Sequence, residues 1–174
     1  MYDFKIAAAD SATLYRDLAS ALEGLIAGEP DPIANMANAA ALIGESLPDL
    51  NWAGFYRNVD SELVLGPFQG RPACIRIKFG SGVCGTAAAT LQAQRVQDVN
   101  AFPGHIACDS ASASELVVPI VRDGQLLAVL DLDSPRTGRF TEEDEAGCVR
   151  LAEILARVLR DASSTGSAAP QDER

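Results

Sequence analysis

The sequence is short of histidine, of basic residues and of long apolar runs, and each shortage excludes something. One histidine, His105, leaves little room for a histidine-rich metal centre. The four cysteines lack the short Cys-x-x-Cys pairing of structural zinc sites, so no metal is expected. With 14 Lys and Arg against 24 Asp and Glu, the formal charge is -10. That balance supplies no positive field to gather phosphates, which argues against nucleic acid and anionic membranes as partners. No apolar stretch approaches the length of a membrane span, and the start Met1-Tyr-Asp-Phe-Lys lacks the basic and apolar regions of a secretory signal. A cytoplasmic location is the expectation. In that reducing compartment, cysteines are more often buried, catalytic or metal-binding than paired in a structural framework.

What is present is an ordinary globular composition, 48% apolar and 22% charged over 174 residues, enough for one domain with a substantial core. Leu14, Leu18, Leu22 and Leu25 recur at helical spacing in a helix over 11–27, which Asp10 or Ser11 can cap. A second helix is expected over 31–47, with Pro32 in its first turn. The period then shortens. Strands are expected over 51–57, 62–65, 73–77 and 94–97, with a turn at 58–60, a glycine loop at 80–85 and a helix at 86–92. A hairpin follows, with arms 115–121 and 125–133, and Pro119 belongs at an edge or bulge. Thr141-Glu-Glu-Asp144 resembles a capping box and opens a last helix reaching about Arg160, with Cys148, Leu151 and Leu155 on its apolar stripe. The small polar residues 163–174 read as a disordered tail. The order implies an α+β fold, a single domain over 1–162 with a mainly antiparallel sheet and helices packed on it.

The residues capable of chemistry gather between Gly66 and Asp133. Strand alternation puts Asp131 and Asp133 on one face with Val129. The side on which Glu115 falls depends on the hairpin turn. A three-residue loop, Arg122-Asp-Gly124, pairs Val121 with Gln125 and sets Glu115 opposite Asp131, on the same face. A two-residue Asp-Gly turn sends Glu115 to the other face. The three-residue loop is the expectation. Acids crowded together repel and share protons, a cost more readily accepted at a site than in a passive wall. Asp131 and Asp133 alone would be better read as a solvated edge.

Among the cysteines, Cys148 fits core packing, and Cys74 fits either a core strand or a site. Cys84 and Cys108 sit beside glycine and polar residues in loops. A hydrolytic triad of Cys108, His105 and Asp109 is disfavoured, because residues so close in sequence rarely reach the required geometry. Thiol redox chemistry remains, with one accessible nucleophile and at least one resolving thiol. Trp52 and Tyr56 share a strand face, as core residues or as a pocket wall.

Three segments carry a resemblance: Gly66-Pro-Phe-Gln-Gly-Arg-Pro-Ala-Cys74, Gly82-Val-Cys-Gly-Thr-Ala-Ala88 and Phe102-Pro-Gly-His-Ile-Ala-Cys-Asp109. Together with the acids behind them, they closely resemble the free methionine-(R)-sulfoxide reductases, enzymes built on a GAF domain. The resemblance implies that Cys108 is the nucleophile and becomes a sulfenic acid. It casts Cys74 as the principal resolving cysteine and Cys84 in a secondary role. Glu115, Asp131 and Asp133 match substrate-binding acids, and Trp52 matches a pocket aromatic, with Tyr56 beside it. Free methionine sulfoxide is then the substrate, no cofactor is bound, and thioredoxin is the external reductant. A homodimer through the terminal helices would be ordinary for the fold. The competing class is a non-catalytic GAF sensor, of a small molecule or of thiol redox state.

Overall fold

The computed structural model describes residues 10–104 and 111–159. The helix α1 (Ser11–Ile26) begins where the Asp10 carboxylate accepts from the Thr13 amide, and α2 (Pro32–Ser46) where Asp31 accepts from Ile33 and Ala34. Pro32 sits in the first turn, where a missing N–H costs nothing. Six strands follow: β1 (Trp52–Val59), β2 (Glu62–Gly70), β3 (Arg76–Lys78), β4 (Gln94–Val96), β5 (Ser114–Arg122) and β6 (Gln125–Ser134). The helix α3 (Gly82–Thr90) lies between β3 and β4, and α4 (Glu142–Val158) follows β6. The strands form one sheet in the order β3-β2-β1-β6-β5-β4, with every pairing antiparallel. The fold is α+β, as expected.

The sheet separates two apolar clusters. On one face Phe55, Leu116, Ile120, Leu130 and Leu132 pack with Leu18, Leu22, Ile43, Leu151 and Leu155 of α1, α2 and α4. On the other, Trp52, Tyr56, Val117 and Val129 pack with Val83, Cys84 and Ala87 of α3. The helical layer is clasped by α4, whose capping box of Thr141 and Asp144 is present. Asp144 also accepts from the Tyr15 hydroxyl at 2.7 Å and from Arg139 at 3.0 Å, tying α1 to α4. Cys148 is fully buried there, and burial pushes its thiol up to about 12, in keeping with a packing role. Among the described residues no helix is long and apolar enough to cross a membrane.

Four local expectations need correction. The turn after β1 is at Asp60 and Ser61, both at positive φ, rather than at 58–60. The strand β2 runs past Leu65 to Gly70, accommodating Gly66 and Pro67 by a register shift opposite Phe55, and β3 starts at Arg76 rather than Ala73. The glycines at 82 and 85 are the first turn of α3 rather than a loop. A Cβ at Gly85 would press on the Lys78 carbonyl and lie 3.2 Å from Gly80 N, so glycine lets the helix start directly against the end of β3.

The fourth correction matters most. The β5–β6 turn has two residues, Asp123 (φ 53) and Gly124 (φ 76), with Arg122 paired to Gln125 and Val121 to Leu126. That turn alone would send Glu115 to the wrong face. The register shifts between Ile120 and Val121, so that Ile120 pairs with Ala128 and Leu127 is the extra residue. Leu127 and Ala128 consequently both join the helix-side cluster. The bulge restores the parity that the short turn removes, and Glu115 returns to the face of Asp131 and Asp133. Its directly opposed partner is Asp133 instead of Asp131. The segment 163–174, His105, Cys108 and Asp109 lie outside the described residues.

Candidate active site

The register of three neighbouring strands assembles the acids. Trp52 pairs with Asp133 and Gly54 with Asp131 across β1 and β6. Glu115 pairs with Asp133, and Val117 with Asp131, across β6 and β5. One row across the sheet therefore reads Trp52, Asp133, Glu115, and the next reads Gly54, Asp131, Val117. Tyr56 opens the third row against Val129. All of these positions face α3.

From α3, Cys84 closes over the acids. Its Sγ lies 3.8 Å from Glu115 Oε1. That sulfur and one carboxylate oxygen each from Glu115 and Asp131 lie within 4.8 Å of one another, with all three residues buried. Among the described residues this is also a donor set that could hold a small cation, and the spacing of the cysteines gave no sign of it. Asp131 Oδ1 is buried without a hydrogen-bond partner among the described residues.

Burial sets the protonation here. It pushes Glu115 well above the usual carboxylate range, with the charges of Asp131 and Asp133 adding to the effect and the Cys84 hydrogen bond opposing it. Burial raises Asp131 to about 7, again against a hydrogen bond from Cys84. The Cys84 thiol is raised well above its ordinary value by burial and then by Asp131 and Glu115. Near neutral pH the cluster therefore holds protons and Cys84 is a thiol, which can donate but is a poor nucleophile. Tyr56 is raised by burial and by Asp131, and stays a neutral phenol.

An aromatic wall stands beside the acids. Trp52 stacks on Phe68 at 5.2 Å and lies 5.9 Å from Tyr56, ring centroid to centroid. Its indole N–H donates to the Arg71 carbonyl at 3.1 Å. Two glycines make room for it: a Cβ at Gly54 would meet Trp52 Cη2 at 2.6 Å, and one at Gly70 would meet Trp52 Cδ1 at 2.6 Å. Gly54 and Phe68 were not anticipated. A glycine inside the alternating segment 51–57 was the available signal, since such a residue marks close approach of another group. Phe68 lies in β2 beyond residue 65, where the strand was expected to end.

The structure thus brings Trp52, Tyr56, Cys84, Glu115, Asp131 and Asp133 onto one face. Cys74 lies in the link between β2 and β3, three residues beyond the Arg71 that holds Trp52, and it is disulfide-bonded. Cys84 and Cys148 are free thiols. Cys84 was expected in a loop and instead sits in a helical first turn.

An antiparallel sheet ordered β3-β2-β1-β6-β5-β4, with three helices on one face and α3 on the other, is the architecture of a GAF domain, and the GAF domain family matches residues 5–160. The chain is 54% identical over 145 residues to the free methionine-R-sulfoxide reductase of Escherichia coli, covering 83% of this chain and 88% of that protein. The free methionine-R-sulfoxide reductase of Neisseria meningitidis, solved in complex with its substrate, superposes with a TM-score of 0.87 at 45% identity, covering 91% of this chain and 95% of that one. A structure from Burkholderia vietnamiensis described as a putative GAF sensor protein superposes at 0.83 with 56% identity, covering 85% and 94%. The chain belongs to the free methionine-(R)-sulfoxide reductase family of GAF domains.

Proposed function

We propose that the protein reduces free L-methionine (R)-S-oxide to L-methionine, using Cys108 as nucleophile, Cys74 as resolving thiol and thioredoxin as the source of electrons. The observation that carries this reading is the cluster of buried Glu115 and Asp131 with half-buried Asp133 beside Trp52, holding a proton near neutral pH at Asp131. A sulfoxide oxygen leaves poorly until it is protonated. A carboxyl raised to about 7 is matched to that task, and a positioned acid of this kind contributes about 10²–10⁴-fold. The remaining negative charge of the cluster suits the substrate ammonium, and Trp52 with Tyr56 suits its thioether end. The N–H groups at the start of α3 offer a place for the substrate carboxylate.

In this cycle the Cys108 thiolate attacks the sulfoxide sulfur, the oxygen passes to Cys108 as a sulfenic acid, and methionine leaves. Cys74 then displaces that oxygen as water and forms a Cys74–Cys108 disulfide. The support is that Cys74 is disulfide-bonded while Cys84 and Cys148 are free. A protonated, buried Cys84 fits hydrogen bonding to the acids better than a turn as nucleophile. The ammonium group of the substrate is expected to help form the Cys108 thiolate.

The test supplies free methionine (R)-sulfoxide with thioredoxin, thioredoxin reductase and NADPH, and follows NADPH consumption. Turnover by wild type, its loss in Cys108→Ser, and losses of about 10²-fold in Glu115→Gln and Asp133→Asn are expected. Absence of wild-type turnover would favour the sensor reading suggested by the Burkholderia description. Undiminished turnover in Cys108→Ser would remove the assigned nucleophile.

A further inference from the structure

Cys74 lies within Arg71-Pro-Ala-Cys-Ile-Arg-Ile-Lys78, and three observations coincide on that segment. The first is that Cys74 is disulfide-bonded and only partly buried. The second concerns its neighbour. Ile75 is 71% exposed, against 42% for Ile33 and 41% for Leu91, the other exposed large apolar residues among those described. Its backbone is anchored, because the Ile75 carbonyl accepts from the Leu65 amide at 2.9 Å, and Ile77 just beyond it is buried. The fold therefore holds an isoleucine out in water next to a reactive bond, which costs free energy that burial against a partner would recover. The third is charge. The eight residues carry Arg71, Arg76 and Lys78, all exposed, and no acid, in a chain of net charge -10. Arg76 is partly balanced by Glu62 at 2.8 Å.

We infer that Ile75, flanked by Arg71 and Lys78, is the docking surface for a dithiol protein of acidic surface that reopens the Cys74 disulfide. The biological use of the surface rests on the proposed thiol cycle. A disulfide formed at each turnover has to be reduced from outside, since the free thiols Cys84 and Cys148 are both buried. The partner's thiolate attacks Cys74 Sγ, a mixed disulfide forms, and the other cysteine of the pair departs as a thiolate that takes a proton from water. The partner's second thiol then attacks the mixed disulfide, Cys74 leaves as a thiolate, and the partner departs oxidised by two electrons. A thiolate bonding to Cys74 brings its own protein into contact with the residues flanking Cys74. Such an encounter is small and transient, so a single apolar anchor can supply much of its affinity, and complementary charge supplies its rate.

The experiment uses the pre-oxidised full chain without any sulfoxide, so its result is separable from the substrate assignment. The second-order rate of disulfide reduction is measured with reduced thioredoxin and, separately, with dithiothreitol. Ile75→Ser is expected to slow reduction by thioredoxin about tenfold and leave reduction by dithiothreitol unchanged, while Ile33→Ser slows neither. Arg71→Glu is expected to slow the thioredoxin reaction and to flatten its decline with added salt. Equal thioredoxin rates in wild type and Ile75→Ser would overturn the inference. Equal slowing with both reductants would also overturn it, because Ile75 would then be acting on the disulfide itself. Failure of the sulfoxide assay with this rate intact would remove the substrate reading and leave the docking surface standing.

Discussion

Asp131 is the residue at which folding and function pull apart. It is buried, one of its oxygens lacks a described hydrogen-bond partner, and burial raises it from 3.8 to about 7. Between those values the folded chain keeps a proton that the unfolded chain releases, so this group withdraws stability as pH climbs, and the full loss is reached above about 7. An asparagine in its place would mimic the protonated acid at every pH. Thermal melts of Asp131→Asn and wild type should therefore differ by several degrees, roughly, in favour of the variant near pH 8, and by little near pH 4. An equal difference at both pH values would mean that Asp131 is not held neutral by the fold. At this scale the sequence was informative about membership and silent about environment. Alternation placed Asp131 with Asp133, but no linear pattern could show that Cys84 arrives from α3 to cover them. That approach depends on Gly85 fitting against the Lys78 carbonyl, a contact between segments.

At the scale of elements, the helices were legible because their signals are local: Asp10, Asp31 and the Thr141–Asp144 box each act within one turn. The hairpin was legible in its arms and in its consequence, and not in its turn. Its turn is the two-residue Asp-Gly form, and the extra Leu127 brings Glu115 back to the acid face. Leu126, Leu127 and Ala128 in a row offer no alternation to follow, and only packing against two different layers separates Leu126 from the other two. The β1 strand depends on the same kind of contact. Gly54 sits under the ring of Trp52 and beside the backbone of Phe68, 2.9 Å from its Cα to an added Cβ. Gly54→Ala should cost about 1–3 kcal/mol and displace the indole. Because Trp52 is the single tryptophan, denaturant unfolding followed by its fluorescence reads both effects. Unchanged stability together with an unchanged emission maximum would show that the ring is not seated on this glycine.

At the scale of the whole molecule, the sheet divides labour between its faces. The helix-side face supplies the larger core, closed by the Tyr15–Asp144 tie between α1 and α4, while the α3 face gives its central rows to acids and aromatics. The fold class was legible from the order of periodicities, and the family from three cysteine-bearing motifs. The edge surface around Ile75 was not, because exposure is a property of the finished fold. The central claim is that the acid face and two of the cysteines form one reducing site. A single-turnover measurement tests it most directly. Fully reduced protein is mixed with excess free methionine (R)-sulfoxide in the absence of any reductant, quenched, alkylated and mapped by mass spectrometry. The account predicts about one methionine released per chain and a peptide pair joining Cys74 to Cys108, with Cys84 and Cys148 recovered as alkylated free thiols. Release of no methionine, or of methionine with every cysteine still free, would contradict it.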